Sequence, residues 1–250
     1  MTKFYFNGCS HSIGEELKNE SDRWSNVVCR HFDAEEHNKG LGGGSNDRML
    51  RHLFEDVTPG AYDHVFIMWT HPERTEFFDS HAITTGEDPP VEPYVPVKLN
   101  RVLFIDNGLT NSDKRVMLQK EFRLALEHYY DQIHTKKQQQ IKLFTHIFQA
   151  QRYLDATGIP YTMSFAFPQN YRIANRSDFI KLNGYTTAEI DRISANIDWT
   201  KFIEDDKTSY MLWAQQHGYD IGPMLHPLEE ANFKWGQKVI KHILDSDNAN

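Results

Sequence analysis

Cysteine is scarce in this chain, because Cys9 and Cys29 are the only two among its 250 residues. Two thiols are too few for the disulfide framework of a small secreted domain, so we expect a reducing compartment. Nothing nearby marks Cys9 as a thiolate, and we expect it to pack the end of a strand as a small apolar side chain. A nucleophilic role for its thiol stays open.

Long apolar runs are also missing. No uninterrupted stretch approaches the length needed to span a membrane, and the first predicted strand begins within a few residues of Met1. This leaves no room for the charged and apolar regions of a secretory signal. We therefore expect a cytoplasmic protein without a membrane partner.

Positive charge is in deficit. The chain has 27 Lys and Arg against 35 Asp and Glu, a formal net charge of -8, which opposes binding to a nucleic acid.

The chain also lacks a polar low-complexity linker. The length then favours a single domain over residues 1–250, with an insertion at about 78–135.

Four apolar segments are typical of strands, and amphipathic helical patterns alternate with them. The predicted strands are Lys3–Phe6, Ala34–His37, Val65–Trp69 and Tyr161–Phe167. The predicted helices follow a candidate N-cap at Ser21, follow Ser45–Asn46, and cover 112–134, 136–156 and 187–195. Proline-rich residues 86–97 predict an extended surface loop. The alternation predicts an α/β fold with a doubly wound sheet.

The first candidate site follows the first strand, where Gly8-Cys9-Ser10 places a serine hydroxyl at a carboxyl strand end. Ligands of open α/β sheets bind at this edge, so Ser10 is a candidate nucleophile. The alternative is that Ser10 or Ser12 caps the next helix.

A glycine-rich loop, Asn38 to Asn46, forms the second candidate site. Its glycines allow a close backbone approach and leave amide hydrogens free to face an anion. The loop could donate to an oxyanion. Nucleotide binding is the alternative, although the loop has no Gly-Lys-Ser/Thr ending.

The third candidate site is the end of the strand at Trp69, where Pro72 turns polar side chains toward the same edge. Thr70 or His71 could complete an oxyanion hole. We expect the substrate rim to include His11, Asn46, Trp69, Arg74 and Glu76. The alternative for Arg74 and Glu76 is an exposed ion pair of little energetic value.

The fourth candidate site is the segment Asp220 to Glu230. Pro227 suits a first helical position, which places His226 just outside the helix, able to reach back over the sheet. A metal site formed by His11, His71, His226 and Asp220 is an alternative that lacks any short ligand spacing.

Together these segments resemble the SGNH, or GDSL-like, hydrolases. Gly8-Cys9-Ser10-His11-Ser12-Ile13-Gly14 is similar to their first block, with cysteine in place of aspartate, and the tryptophan-led helix and glycine loop are similar to the second. The resemblance implies a three-layer flavodoxin-like fold, with Ser10 as nucleophile, His226 as base, Asp220 as its acid and the amides of Ser10 and Gly43 as oxyanion donors. The chain departs from the family in two places. No asparagine follows Trp69, and Pro223 stands where the family has aspartate.

The strand end at Trp69-Thr70 also resembles divergent SGNH-like proteins of bacteriophages, which implies a host cytoplasm or a virion. We expect an esterase that acts on a small acyl ester or an acetylated carbohydrate, without a metal or organic cofactor. A non-catalytic binding module and an acyltransferase that uses the same serine are the alternatives. The sequence does not set the oligomeric state.

Overall fold

The computed structural model describes residues 1–78, 94–97, 128–133, 135–167, 188–203 and 209–247. The strands are β1 (Thr2–Asn7), β2 (Ala34–Asn38), β3 (His64–Trp69), β4 (Thr75–Phe78), β5 (Tyr94–Val97) and β6 (Tyr161–Phe165). The α-helices are α1 (Ser10–Ile13), α2 (Trp24–Phe32), α3 (Asn46–Asp56), α4 (Lys136–Thr157), α5 (Ala188–Ser194), α6 (Tyr210–Gln216) and α7 (Glu229–Asp247). Short 3-10 turns cover Glu20–Asp22 and Trp199–Lys201, and a π-helical turn covers Tyr129–Ile133.

Over the residues that the structure describes, the central sheet has four parallel strands in the order β2-β1-β3-β6. The strands are the four that the sequence predicts, and the largest difference is that β6 ends at Phe165 rather than Phe167. With helices on both sides, the sheet has the α/β fold predicted from the alternation of elements. Much of the predicted 78–135 insertion, including most of its helix, lies outside the described residues.

Alternating side chains of β1 face opposite sides of the sheet, as the two-residue period of a strand requires. Phe6 packs edge to face on Trp24 of α2, with ring centroids 5.4 Å apart. Asn7 points the other way and donates its side-chain amide to the carbonyl of Met49 in α3, at 3.1 Å. Helix α7 packs beside α2 on the first side, and α4 packs beside α3 on the second.

Helix starts match the sequence at some positions and differ at others. The helix predicted after Ser45–Asn46 is α3, and Ser45 caps it, since its hydroxyl accepts the N–H of Arg48 at 3.1 Å. Ser21 does not cap α2, whose N-cap is Arg23 without a side-chain bond. Helix α7 begins at Glu229, because Pro227 is still engaged in a bridge with Ile221.

The predicted loop at 86–97 ends in a strand. Backbone residues Tyr94–Val97 form β5, antiparallel to β4, and Pro96 lies opposite Glu76 in this two-stranded ribbon. A proline is tolerated there because the ribbon is separate from the central sheet. The rest of that loop lies outside the described residues.

Within the described part of the chain, no helix has both the length and the apolar character that crossing a membrane requires.

Candidate active site

Ser10 opens α1 directly after β1, at the carboxyl edge of the sheet. The N-cap of α1 is Cys9, which makes no side-chain capping bond, so neither Ser10 nor Ser12 caps this helix. Ser10 is only 4% exposed, and among the described residues its hydroxyl has no hydrogen-bond partner. Within this part of the chain the hydroxyl is therefore not committed to a structural bond.

The glycine loop is bound to the backbone that precedes Ser10. The N–H of Leu41 donates to the carbonyl of Gly8 at 3.1 Å, and the N–H of Lys39 donates to that of Phe6 at 2.8 Å. Gly43 has a φ of +75°, a left-handed conformation that favours glycine. This arrangement brings the loop with the predicted oxyanion glycine alongside the segment of Ser10.

Asn46 joins the glycine loop to the end of β3. Its side chain accepts the N–H of Thr70 at 2.9 Å and donates to the carbonyl of Thr70 at 3.2 Å. Asn46 is thus a buried clamp between two loops of the site. Trp69 is fully buried, and its indole N–H points to the sulfur of Met163, so it supports β3 from within.

Arg74 lies inside the site and does not pair with Glu76. Its guanidinium donates through Nη1 to the hydroxyl of Thr70 at 2.7 Å, and its Cζ lies 4.9 Å from the ring centroid of Phe167. Glu76 instead accepts two hydrogen bonds from Arg51, at 3.0 and 3.2 Å. The expected exposed ion pair between Arg74 and Glu76 is therefore not formed. Arg74 is a buried cation, and Glu76 pairs with Arg51.

His71 lies near the ring of Phe167, at 6.5 Å between ring centroids, and is partly exposed. Its Nδ1 accepts the N–H of Glu73 at 3.4 Å, and the carboxylate of Glu73 lies 3.6 Å from the same nitrogen. His71 therefore reaches the candidate site from the side of Phe167.

His226 comes from the opposite end of the sequence and is held by Glu16. Oε2 of Glu16 lies 2.7 Å from Nδ1 of His226, and the same carboxylate accepts the N–H groups of Met224 and His226 at 3.0 to 3.2 Å. Partial burial opposes ionisation of Glu16, but these hydrogen bonds outweigh it and hold the pKa of Glu16 below its ordinary value of 4.5. The carboxylate therefore fixes both the imidazole and the loop that carries it.

Two backbone features make the Glu16 contact possible. Glu16 itself has a φ of +71°, an uncommon conformation for a residue with a side chain. Gly222 provides the space, because a Cβ at that position would meet the Glu16 carboxylate at 2.7 Å. The strained turn after α1 and the missing side chain at 222 together place the acid against the imidazole.

Glu16 thus holds the position that the family resemblance implies for Asp220. Asp220 contributes its main-chain carbonyl to this turn, accepting the N–H of Leu228 at 3.0 Å. Among the described residues its carboxylate makes no contact with His226. The structure therefore places the carboxylate of Glu16, and not that of Asp220, beside Nδ1 of His226.

The second ring nitrogen of His226 also faces a carboxylate. Oε2 of Glu15 lies 3.6 Å from Nε2 of His226. Glu15 also lies against the glycine loop, where a Cβ on Gly42 would meet its Oε1 at 2.0 Å. Glu15 therefore sits between the loop of the predicted oxyanion glycine and the imidazole.

His11, the neighbour of Ser10, packs against two aromatic rings of the site. Its ring lies 5.0 Å from that of His226 and 4.5 Å from that of Phe167. Burial, with the nearby charge of Arg74 added, lowers the pKa of His11 to about 3, so the ring is neutral at physiological pH. Its Nε2 has no hydrogen-bond partner among the described residues.

No group of three or more His, Cys, Asp or Glu side chains suited to hold a metal ion occurs within the described residues. Both cysteines are free and buried.

A cavity of about 360 Å³ lies at the other edge of the sheet, near the starts of β3 and β6, and is separate from the candidate site.

Comparisons with solved structures show that the fold is similar to that of an esterase. The psychrotrophic esterase EstA from Pseudoalteromonas sp. aligns over 99% of this chain and 100% of its own, at 14% identity and a TM-score of 0.52. TesA aligns over 97% and 98%, at 12% identity and 0.49. A carbohydrate esterase family 2 enzyme from Corynascus thermopiles aligns over 99% and 67%, at 11% identity and 0.48. At such identities the similarity is one of fold.

No curated protein matches the chain. A family model does match, over residues 7–249, which include Ser10, the glycine loop, Glu16 and His226. The chain therefore belongs to the family described as "Family of unknown function (DUF6071)".

Proposed function

We propose that this protein is a serine hydrolase of small acyl esters, with Ser10 as nucleophile and His226 as general base. The observation that carries the proposal is the Glu16–His226 contact, which holds an imidazole beside the segment of Ser10. A carboxylate at Nδ1 leaves Nε2 as the nitrogen that exchanges a proton with a nucleophile. Glu16 is the positioning residue in this scheme, in place of Asp220.

In the proposed reaction, the Ser10 oxygen attacks the ester carbonyl while its proton passes to Nε2 of His226. The tetrahedral intermediate then expels the alcohol, which takes that proton back. Water attacks the acyl-serine in the same way and releases the acid. The N–H groups of Ser10 and Gly43 receive the charge on the carbonyl oxygen, with Thr70 or His71 beside them.

Ser10 and His226 are not hydrogen-bonded to each other among the described contacts, and Glu15 faces Nε2. Catalytic hydrogen bonds are often long in a free enzyme and tighten when substrate binds. The proposal therefore requires the Glu15 carboxylate to leave Nε2 as the ester enters. A binding module, the second candidate function, would keep Glu15 where it is.

The test is hydrolysis of p-nitrophenyl acetate by wild-type protein and by Ser10→Ala, with Ser12→Ala as the matched serine control. We expect Ser10→Ala to abolish turnover and Ser12→Ala to retain it. Equal rates for wild type and Ser10→Ala would favour the binding module. Acetylated sugars and an alcohol acceptor, added in parallel, separate a carbohydrate esterase from an acyltransferase.

A further inference from the structure

Arg74 is a buried cation whose described hydrogen bonds all go to neutral acceptors. The residue is 7% exposed and donates to the hydroxyl of Thr70 at 2.7 Å and the carbonyl of Gly44 at 3.4 Å. Among the described residues no carboxylate pairs with it, and its Nε–H has no hydrogen-bond partner. The guanidinium is thus available to an anion.

An unpaired buried charge is costly, so its position needs a physical reason. The nearest acid along the strand, Glu76, is bound by Arg51 at 3.0 Å. The fold therefore supplies a separate arginine to Glu76, and within the described ranges Arg74 has no carboxylate as a counter-ion. Arginine suits a buried anion site because its planar group offers several directed donors.

The position of the Arg74 guanidinium indicates which anion it binds. It contacts Gly44, the residue after the predicted oxyanion glycine Gly43, and Thr70, the predicted side-chain donor at the end of β3. Its charge also acts on the ring of His11, the neighbour of Ser10. The cation therefore lies among the segments that surround the proposed reacting carbonyl.

We propose that Arg74 donates to the carbonyl oxygen as negative charge develops there, in place of the asparagine that this chain lacks after Trp69. This inference rests on the proposed function. As the bond from Ser10 to the carbonyl carbon forms, the π electrons of the carbonyl move to its oxygen, and the guanidinium stabilises that oxygen. When the electrons return, the bond to the alcohol breaks and the alcohol leaves with the proton from His226.

The kinetic test compares Arg74→Gln and Arg74→Lys with wild type, and uses Arg51→Gln as the matched arginine control. We expect Arg74→Gln to lower kcat for p-nitrophenyl acetate by about 100-fold or more with little change in KM, as for loss of one oxyanion donor. Arg74→Lys keeps the charge and recovers part of kcat. Arg51→Gln leaves kcat near wild type.

An unchanged kcat in Arg74→Gln, with activity that still depends on Ser10, overturns this inference and leaves the proposed function intact. An effect confined to the KM of a carboxylate-bearing ester, mono-4-nitrophenyl succinate, also overturns it. That result would make Arg74 a site for a substrate carboxylate.

A binding test needs no turnover and separates the two failures. Inorganic phosphate carries charged oxygens on a tetrahedral centre, as the intermediate does, and is expected to raise the melting temperature of wild type and of Ser10→Ala but not of Arg74→Gln. A shift that is equal in Arg74→Gln, or absent in wild type, contradicts an anion site at Arg74. A melting temperature of Arg74→Gln near that of wild type, measured without phosphate, verifies that this variant is folded.

Discussion

The carboxylate of Glu16 lies 2.7 Å from Nδ1 of His226, across 210 positions of sequence. The same carboxylate binds two backbone N–H groups of the loop that carries the histidine. One side chain therefore orients the imidazole and fixes its loop.

Replacing Glu16 by Gln is expected to lower kcat by about 100-fold or more, because an amide no longer stabilises the imidazolium or selects its tautomer. Steady-state hydrolysis of p-nitrophenyl acetate measures the effect. Asp220→Asn is the matched control and is expected to keep kcat near wild type, since Asp220 joins the turn through its main-chain carbonyl. A larger loss in Asp220→Asn than in Glu16→Gln would return the acid role to Asp220.

Gly222→Ala is expected to displace the Glu16 carboxylate, which a Cβ at this position would meet at 2.7 Å. We expect kcat to fall in the wild-type background and to change little in the Glu16→Gln background, because both changes disturb one contact. A double-mutant cycle on kcat measures this coupling. Independent, multiplying losses would mean that Gly222 acts through something other than Glu16.

Asn46→Ala is expected to lower the free energy of unfolding by about 2 kcal/mol or more, because the buried N–H and carbonyl of Thr70 both lose their partner. Urea denaturation measures the change. Asn26→Ala is the control, since Asn26 makes one exposed bond to Glu20, and a change of about 0.5 kcal/mol or less is expected. Similar losses in both variants would contradict the clamp.

His64 makes the fold sensitive to acid. Burial lowers its pKa from 6.5 to about 3. Below pH 6.5 the imidazole is therefore protonated in the unfolded chain but stays neutral in the folded protein. The free energy of unfolding then falls by up to about 1.4 kcal/mol per pH unit from this histidine, until the pH approaches the folded pKa. In His64→Gln this contribution is absent.

Denaturation of both proteins from pH 7 to pH 4 checks the His64 prediction. The stability advantage of wild type over His64→Gln should shrink, and then reverse if it is small, as the pH falls. Parallel stability curves would mean that folding leaves the pKa of His64 unshifted, so that the folded and unfolded chains take up the proton over the same pH range.

The sheet was predictable because its signals are local. Val65–Trp69 is a compact apolar run with turn signals beside it, and it forms β3 with one added residue, His64. Ser45 caps α3 because its hydroxyl needs only the N–H three residues later. Ser21 failed as a cap because a 3-10 turn at Glu20–Asp22 intervenes and moves the helix start to Trp24.

The acid beside His226 could not be read from the sequence in the same way. Asp220 is close in sequence, but the turn between Ile221 and Pro227 directs its carbonyl into the bridge. Glu16 reaches the imidazole through a left-handed backbone and a gap at Gly222, both of which depend on tertiary structure. A glutamate two residues after Gly14 was the only local sign, and exposed glutamates are common.

The contact between Glu16 and the His226 loop also affects when the candidate site forms during folding. Ser10, the glycine loop and β3 leave the ribosome early, whereas the imidazole follows after most of the chain has been synthesised. Contacts between residues so distant in sequence form slowly, because a large loop must close first. Newly made chains are thus expected to form their parallel sheet before they can hydrolyse esters. The appearance of activity would then mark the last step of folding.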